Sequence, residues 1–367
     1  MLIVIIADPI DEQYAGIYYY TKHLIEALIK IDKKNEYIFI HKRPNDFFIG
    51  QKDMIIPNYR WLPGWMIIRK FLFITFALLK IKPDIVLEPA HIGPFSFFWS
   101  CRKVVTIHDL TPVLFPQYHI KISCFIHKLF LPLILHNADG VLVPSECTKN
   151  DIERLYKPEI PIQVTYEAVT EDFHPSSKKQ VREVKDKFGI EKPYILSVGT
   201  LEPRKNLITL LKAYKTLRGK GYDYQLVIVG KKGWYFKKLL KEIESFGKDI
   251  IITGYVQRKE LPALYSGAEV MVFPSLYEGF GLPPLEAMQC GCPVICSDTS
   301  SLPEICEEAA IYIEPHKSDE LEKALLRMLT DDSIRSKMRH KGIKQASKFS
   351  WEKCARETLE FFKSELL

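Results

Sequence analysis

Residues 269–288 read EVMVFPSLYEGFGLPPLEAM. Glu269–Ser275 is a short apolar run of strand length that ends in a polar loop. Gly279 and Gly281 then allow close approach of a ligand to the backbone. Pro283 and Pro284 suit the opening of a helix. The same grammar recurs immediately downstream in CPVICSD (Cys292–Asp298) and upstream in YILSVG (Tyr194–Gly199), QLVIVG (Gln225–Gly230) and DIIITG (Asp249–Gly254). Between these runs, Leu207–Arg218 and Phe236–Ser245 are spaced as helices. Buried strand, loop, amphipathic helix, buried strand is the pattern of an open parallel sheet.

The first half repeats it. LIVIIA (Leu2–Ala7), YIFIH (Tyr37–His41), DIVLEP (Asp84–Pro89), KVVTIHD (Lys103–Asp109) and GVLVPS (Gly140–Ser145) read as strands, and Thr21–Ile31 carries a helical apolar face at Leu24, Ile25, Leu28 and Ile29. Polar Val169–Lys187, with Pro175 and a serine pair, reads as the linker. The fold class is α/β, with two doubly wound Rossmann-like domains, 1–172 and 173–349. Ser350 is a good N-cap for a terminal helix, 350–367, expected to pack back on the first domain. Ligands of such sheets bind outside the carboxyl ends of the strands, so two domains facing each other would put a cleft there.

Composition excludes several classes. The chain has 367 residues, 47% hydrophobic and 26% charged, which excludes disorder and low-complexity fibres. The eight cysteines make no CxxC pair and no zinc spacing, and read as buried reduced thiols of a reducing compartment. MLIVIIADP lacks a basic leader and reads as a first strand. The apolar run Phe71–Leu79 is far short of the roughly 20 residues that cross a bilayer. The expectation is a cytoplasmic protein without a nucleic-acid partner. Net charge is +6, and the excess sits between Arg60 and Phe130, with nine basic and three acidic residues.

Chemistry-bearing residues cluster in the second half. GTLEPRKN (Gly199–Asn206) puts Arg204 and Lys205 after a strand and before a helix, where cations can neutralise a diphosphate; the plainer reading is an exposed, solvated basic loop. Glu278 stands before the glycines and Glu286 in what reads as the first turn of the helix. An acid there also stabilises a helix by itself, and Glu278 could be a plain loop acid. The spacing keeps the two off one helix face, as hydroxyl acceptors at two places along an elongated ligand. No Asp-x-Asp occurs, so no divalent-metal site for a nucleotide diphosphate is evident, and no Gly-x-Gly-x-x-Gly or P-loop follows the first strand.

Glu278-Gly-Phe-Gly-Leu-Pro-Pro-Leu-Glu286 resembles the E-x7-E signature of the retaining glycosyltransferases of family 4, whose fold is GT-B. VGTLEPRKN, ITGYV, LYSGAEVMVFPSLYEGFG and GCPVICSDTSSLPE follow in the family's order, and AGIYYYTKHL, TIHDLTPVLFP and VLVPSECTKNDI resemble its first-domain segments. The resemblance implies donor-sugar hydroxyls on Glu278, the nucleotide ribose on Glu286, and the donor diphosphate on Lys205 and Arg204. It implies backbone contacts from Gly279, Phe280, Gly281 and Leu282, a histidine near the sugar at His108, and a glycine loop at Gly16 approaching the transferring centre. Many members carry Gly-Arg where this chain has Gly199-Thr200, so Arg204 would have to supply that charge.

The implied activity is a metal-independent, retaining hexosyltransferase with a nucleotide-sugar substrate and no cofactor. No carboxylate stands out as a covalent nucleophile, which favours front-face attack through an oxocarbenium-like transition state. The wording of GTLEPRKN and TSSLPE is most like that of mannosyltransferases, so GDP-mannose is the expected donor, with a glycan or lipid-linked acceptor in cell-surface polysaccharide or lipopolysaccharide assembly. A UDP-sugar-dependent glucosyl- or N-acetylhexosaminyltransferase is the alternative. An epimerase on this fold lacks visible acid–base carboxylates, a phosphorylase lacks a lysine-bound cofactor signature, and a non-catalytic binder would not need Glu278, Glu286, Lys205 and His108 together. Trp61–Leu79 and Lys121–Leu135 mix apolar residues with Arg69, Lys70, His127 and Lys128. They read either as core helices or as an anionic-membrane contact on the inner face of the cytoplasmic membrane, with Trp65, Arg69, Lys70 and Lys128 toward lipid.

Overall fold

The computed structural model describes residues 1–12, 15–59, 64–95, 101–234, 241–243 and 246–366. They form two compact units, Met1–Leu114 with Lys121–Glu167 and Trp351–Leu367, and Phe115–Ile120 with Ala168–Ser350.

The first unit holds seven parallel strands: β1 Leu2–Ile6, β2 Glu36–His41, β3 Asp53–Ile55, β4 Ile85–Glu88, β5 Arg102–Thr106, β6 Gly140–Val143 and β7 Ile162–Val164, in the order β3-β2-β1-β4-β5-β6-β7. Strands of a parallel sheet are covered on both faces, which is why β1 is apolar throughout. Ile3 and Ile5 turn to one face, with Leu24 and Leu28 of the Ala15–Ile31 helix and Ala355 and Phe362 of the Trp351–Ser364 helix. Val4 and Ile6 turn to the other, with Ile74, Leu78, Leu131 and Ile134. Each such fully buried side chain contributes about 1.5–3 kcal/mol.

The second unit has six parallel strands: β8 Tyr194–Val198, β9 Gln225–Val229, β10 Ile250–Gly254, β11 Val270–Phe273, β12 Val294–Ser297 and β13 Ala310–Ile313, in the order β10-β9-β8-β11-β12-β13. Its core joins Ile195, Leu226 and Val270 to Leu210, Tyr214, Leu321 and Leu325 on the covering helices. In both sheets the strand order reverses beside the first strand, between β1 and β4 and between β8 and β11. That is the switch point where doubly wound sheets place their ligands. In the second unit it brings the loops after β8 and β11 side by side.

Two expectations change, and a third is not tested. Most of the segment read as linker is a helix, Lys178–Phe188, started by a capping box between Ser177 and Gln180 and ended by Gly189 at φ 68°. Strands β3, β7 and β13 are short edge strands that the sequence reading did not name; β3 and β7 carry no continuous apolar run, whereas β13 lies in the apolar run Ala309–Ile313. The Phe236–Ser245 helix falls largely outside the described residues.

The apolar basic stretches are helical where described, and 61–63 fall outside. Trp65–Ile68, a π-helical turn at Arg69–Ile74 and Thr75–Ile81 follow one another. The second stretch is one helix, Lys121–Asn137. Arg69 does not face outward. It is 2% exposed and grips Asp8 through both terminal nitrogens, at 2.6 and 2.8 Å, with Nε donating to the Ile56 carbonyl at 2.6 Å. Lys70 turns to buried Glu88 at 2.9 Å, and Trp65 is half-buried with Nε1 on the Pro57 carbonyl. Lys128 is exposed.

Candidate active site

The loop after β8 runs through Gly199 into a tight turn at Pro203–Lys205 and then the Leu207–Gly219 helix. Its neighbour is the loop after β9. A Cβ on Gly230 would stand 1.9 Å from the Gly199 carbonyl oxygen, so only glycine lets the two loops abut. Asn206, at φ 53°, turns the chain into the helix and donates Nδ2 to the Pro274 carbonyl at 3.1 Å, tying this loop to the one after β11.

There Lys205 meets Glu278. Its Nζ is 2.6 Å from Glu278 Oε1 and 4.9 Å from the centre of the Phe273 ring, and its side chain is 13% exposed. The expected exposed loop cation is thus a largely covered one. Burial, then neighbouring Arg204, pulls its ammonium below the usual lysine range, while Glu278 and Glu202 oppose this. Arg204 is a clamp. Nη1 donates to the Tyr277 carbonyl at 2.6 Å and lies 2.8 Å from Glu278 Oε2, and Nη2 donates to Glu202 Oε1 at 2.7 Å. Burial alone would raise the pKa of Glu278, but Arg204 and Lys205 outweigh it and hold the carboxyl below its ordinary value. Glu278 is therefore an ionised, acceptor-only group.

Hydroxyls fix the backbone of the acidic loop. The Glu278 N–H donates to Ser300 Oγ at 2.9 Å. Ser301 Oγ donates to the carbonyls of Glu278 and Phe280 at 3.0 and 2.7 Å. Gly281, at φ 112°, starts the Leu282–Gln289 helix, and a Cβ there would meet Leu302 Cδ2 at 2.9 Å. Because the helix begins at Leu282, Glu286 lies in its second turn, not the first, and support for the helix terminus no longer explains it. Glu286 is buried. Oε2 accepts from the Tyr265 hydroxyl at 2.9 Å, and Oε1 lies 3.3 Å from Arg258 Nη1. Burial raises its pKa, with Arg258 and Tyr265 opposing.

In the first unit His108 follows β5. Its Nε2 donates to the Pro89 carbonyl at 2.8 Å, Nδ1 lies 3.3 Å from Glu167 Oε1, and the Tyr20 ring meets its edge with centroids 4.6 Å apart. His91, 5.4 Å from His108 by ring centroids, is buried at φ 55°. Burial and then His108 push its imidazole far below the usual range, so it is neutral. Gly16 is the second residue of the Ala15–Ile31 helix, exposed, with open space where a Cβ would stand; the expected loop is a helix at this position.

The structure thus gathers Arg204, Lys205, Glu278 and the loop Gly279–Leu282 at one sheet's switch point, with Glu286 further along the same segment. Sequence reasoning missed Glu202, Arg258, Tyr265, Ser300 and Ser301 here, and Glu167 and His91 in the first unit. The available signals were GTLEPRKN, LYSGAEVMVFPSLYEGFG and TSSLPE, quoted above for their resemblance without a role for Glu202, Tyr265 or the two serines. Among the described residues, no cluster of three or more His, Cys, Asp or Glu could hold a metal ion, and no helix is long and apolar enough to cross a membrane.

Two parallel-sheet Rossmann-like units, each with its polar residues at the strands' carboxyl ends, are the architecture of GT-B glycosyltransferases. Sucrose-phosphate synthase from Thermosynechococcus elongatus superposes on it with a TM-score of 0.79 at 20% identity, covering 99% of this chain and 98% of that one. The family model Glycosyltransferase Family 4 matches residues 14–173, and Glycosyl transferases group 1 matches residues 180–348. An O-antigen chain mannosyltransferase B of Escherichia coli is 37% identical over 267 residues, 71% of this chain and 70% of that one. A serotype-specific mannosyltransferase of the same organism is 31% identical over 304 residues, 78% of this chain but only 37% of that longer protein. The chain belongs to the family 4, group 1 glycosyltransferases.

Proposed function

We propose that this protein is a retaining, metal-independent hexosyltransferase that moves mannose from GDP-mannose to a glycan or lipid-linked acceptor in cell-surface polysaccharide assembly. The observation that carries the reading is the buried Lys205–Glu278 pair at the sheet's switch point, with Glu286 eight residues on. The mannosyltransferase names of the relatives support the sugar.

The chemistry follows from charge. The leaving group is a nucleoside diphosphate whose negative charge grows as the sugar departs. Lys205 would turn from Glu278 to the phosphates, with the N–H groups that open the Leu282–Gln289 helix beside it. Glu278, kept ionised by Arg204, then accepts hydroxyls of the sugar. Glu286 accepts those of the ribose. The departing phosphate oxygen would take the acceptor's proton on the face it leaves, which retains the anomeric configuration. His108, oriented by Pro89 and Glu167, is the histidine that the family resemblance assigns to the sugar. A thermal-shift series with GDP, UDP and ADP tests the donor, since a ligand of the native state raises its melting temperature. Stabilisation by GDP alone is expected. Stabilisation by UDP alone would move the reading to a UDP-sugar.

The acceptor side would be presented by a membrane. Support comes from two adjoining helical stretches of the first unit, joined by Phe71 against Phe130 at 5.6 Å. Phe76 and Phe125 are 62% and 63% exposed, and Leu72, Leu79, Leu129 and Leu133 are exposed as well. Neither described stretch holds an acidic residue, and Lys80, Lys121 and Lys128 are exposed along them. Apolar insertion with lysines at an anionic surface accounts for both features.

A further inference from the structure

Arg258 is not a loose surface arginine. It sits in the Arg258–Glu260 turn between β10 and the Leu261–Gly267 helix. Nη1 is 3.3 Å from Glu286 Oε1, Nη2 donates to Thr170 Oγ1 at 3.1 Å, and Nε is 3.8 Å from Asp172 Oδ2. The guanidinium carbon lies 4.5 Å from the centre of the fully buried Phe173 ring. Phe173 in turn meets Tyr265 at 6.2 Å, and Tyr265 holds the other oxygen of Glu286. Thr170–Phe173, near the start of the second unit, thus forms a seat for the arginine, and Gln289 Nε2 anchors that seat by donating to the Thr170 carbonyl at 3.2 Å.

We propose that Arg258 is a positioning residue for nucleotide recognition, aiming the Glu286 carboxylate at the donor's ribose from its seat on Thr170–Phe173. This rests on the reading of Glu286 as the ribose acid. A carboxylate has about four acceptor sites. Arg258 and Tyr265 take one on each oxygen and leave one on each for a vicinal diol. The groups facing Glu286 are Arg258 from the turn, Tyr265 from the Leu261–Gly267 helix, Asp172 from the seat and Cys290 at the end of its own helix. Arg258 is the cation among them. Burial already favours the protonated acid, so losing the guanidinium favours it further, and a protonated carboxyl gives up a charge-assisted acceptor.

The test measures GDP and UDP affinity, with the 2′,3′-dideoxy analogue of whichever binds, for wild type, Arg258→Lys, Arg258→Met and Glu286→Gln across mildly acidic to mildly alkaline pH. Arg258→Met should weaken ribonucleotide binding about tenfold or more at neutral pH. The loss should grow as pH falls and shrink as it rises, and Arg258→Lys should recover most of it. Against the dideoxy nucleotide, Arg258→Met should cost almost nothing, because the arginine acts through the ribose contact. An Arg258→Met defect that is equal on both nucleotides and flat with pH, while Glu286→Gln is impaired, overturns the role of Arg258 alone. Wild-type ribonucleotide affinity in Glu286→Gln overturns the ribose reading and the role of Arg258 with it. Melting curves of each variant separate a folding defect, which would weaken both nucleotides alike.

Discussion

Replacing Lys205 by alanine should damage both chemistry and folding, and the structure says why. The side chain is largely covered, with its ammonium 2.6 Å from buried Glu278 Oε1. Breaking a buried ion pair from one side costs about 3–5 kcal/mol, because the remaining charge stays buried. Arg204 still lies 2.8 Å from the other Glu278 oxygen, so the charge is half compensated. The expected loss is then about 1–3 kcal/mol, or roughly 2–10 °C in melting temperature for a unit of this size. Turnover should fall further, by about 10²–10³-fold, as for loss of one oxyanion donor. The acid side supplies a second signature. The carboxyl of Glu278 is held below its ordinary pKa, so its pairing stabilises the fold above the unfolded carboxylate value and is lost as pH falls through the lower folded value. Without Lys205 the depression shrinks, so the acid destabilisation that Glu278 contributes should be smaller than in wild type and complete at a higher pH. Adding Glu278→Gln should restore much of the lost melting temperature without restoring turnover. The assays are thermal melting against pH and donor turnover on the same preparations. Wild-type melting and turnover within a few-fold in Lys205→Ala would refute the reasoning.

Glu278→Gln should keep nucleotide affinity but lose transfer, whereas Glu286→Gln should weaken the nucleotide itself; calorimetry with the nucleoside diphosphate and a turnover assay separate them. Transfer should survive EDTA, and complete loss rescued by Mg²⁺ or Mn²⁺ would reveal a metal step. Sedimentation with anionic vesicles should capture wild type at low salt and release it as salt rises. Phe76→Ser with Phe125→Ser should reduce that capture by about tenfold or more, since burying each such ring is worth about 1.5–3 kcal/mol, while hydrolysis of a soluble donor stays intact.

Much of this was legible because parallel strands covered on both faces must be continuously apolar. Met271 to Phe273 and Val294 to Cys296 could hardly be anything else, and the glycines and prolines after β11 announce a loop and a helix start. The Lys178–Phe188 helix was hidden by polarity: Val184 is its only fully covered side chain, and the signal lay in the Ser177–Gln180 capping box. Arg69 looked lipid-facing because its neighbours are apolar, but its partner Asp8 is 61 residues away, and local pattern carries no information about such a pair. Long range also hid the site's supports. Ser300 and Ser301 brace backbone more than 20 residues upstream, and Thr170 reaches Arg258 across 88. Glu286 falls in the second turn and not the first because the helix opens at Leu282, one residue ahead of Pro283.

The central claim is transfer of mannose with retention from a diphosphate leaving group. The most direct measurement is NMR of the early product formed from GDP-mannose, before any mutarotation. The account predicts an α-linked product, the anomeric configuration of the donor itself. A β-linked product would contradict both the front-face mechanism and the roles given to Lys205 and Glu278.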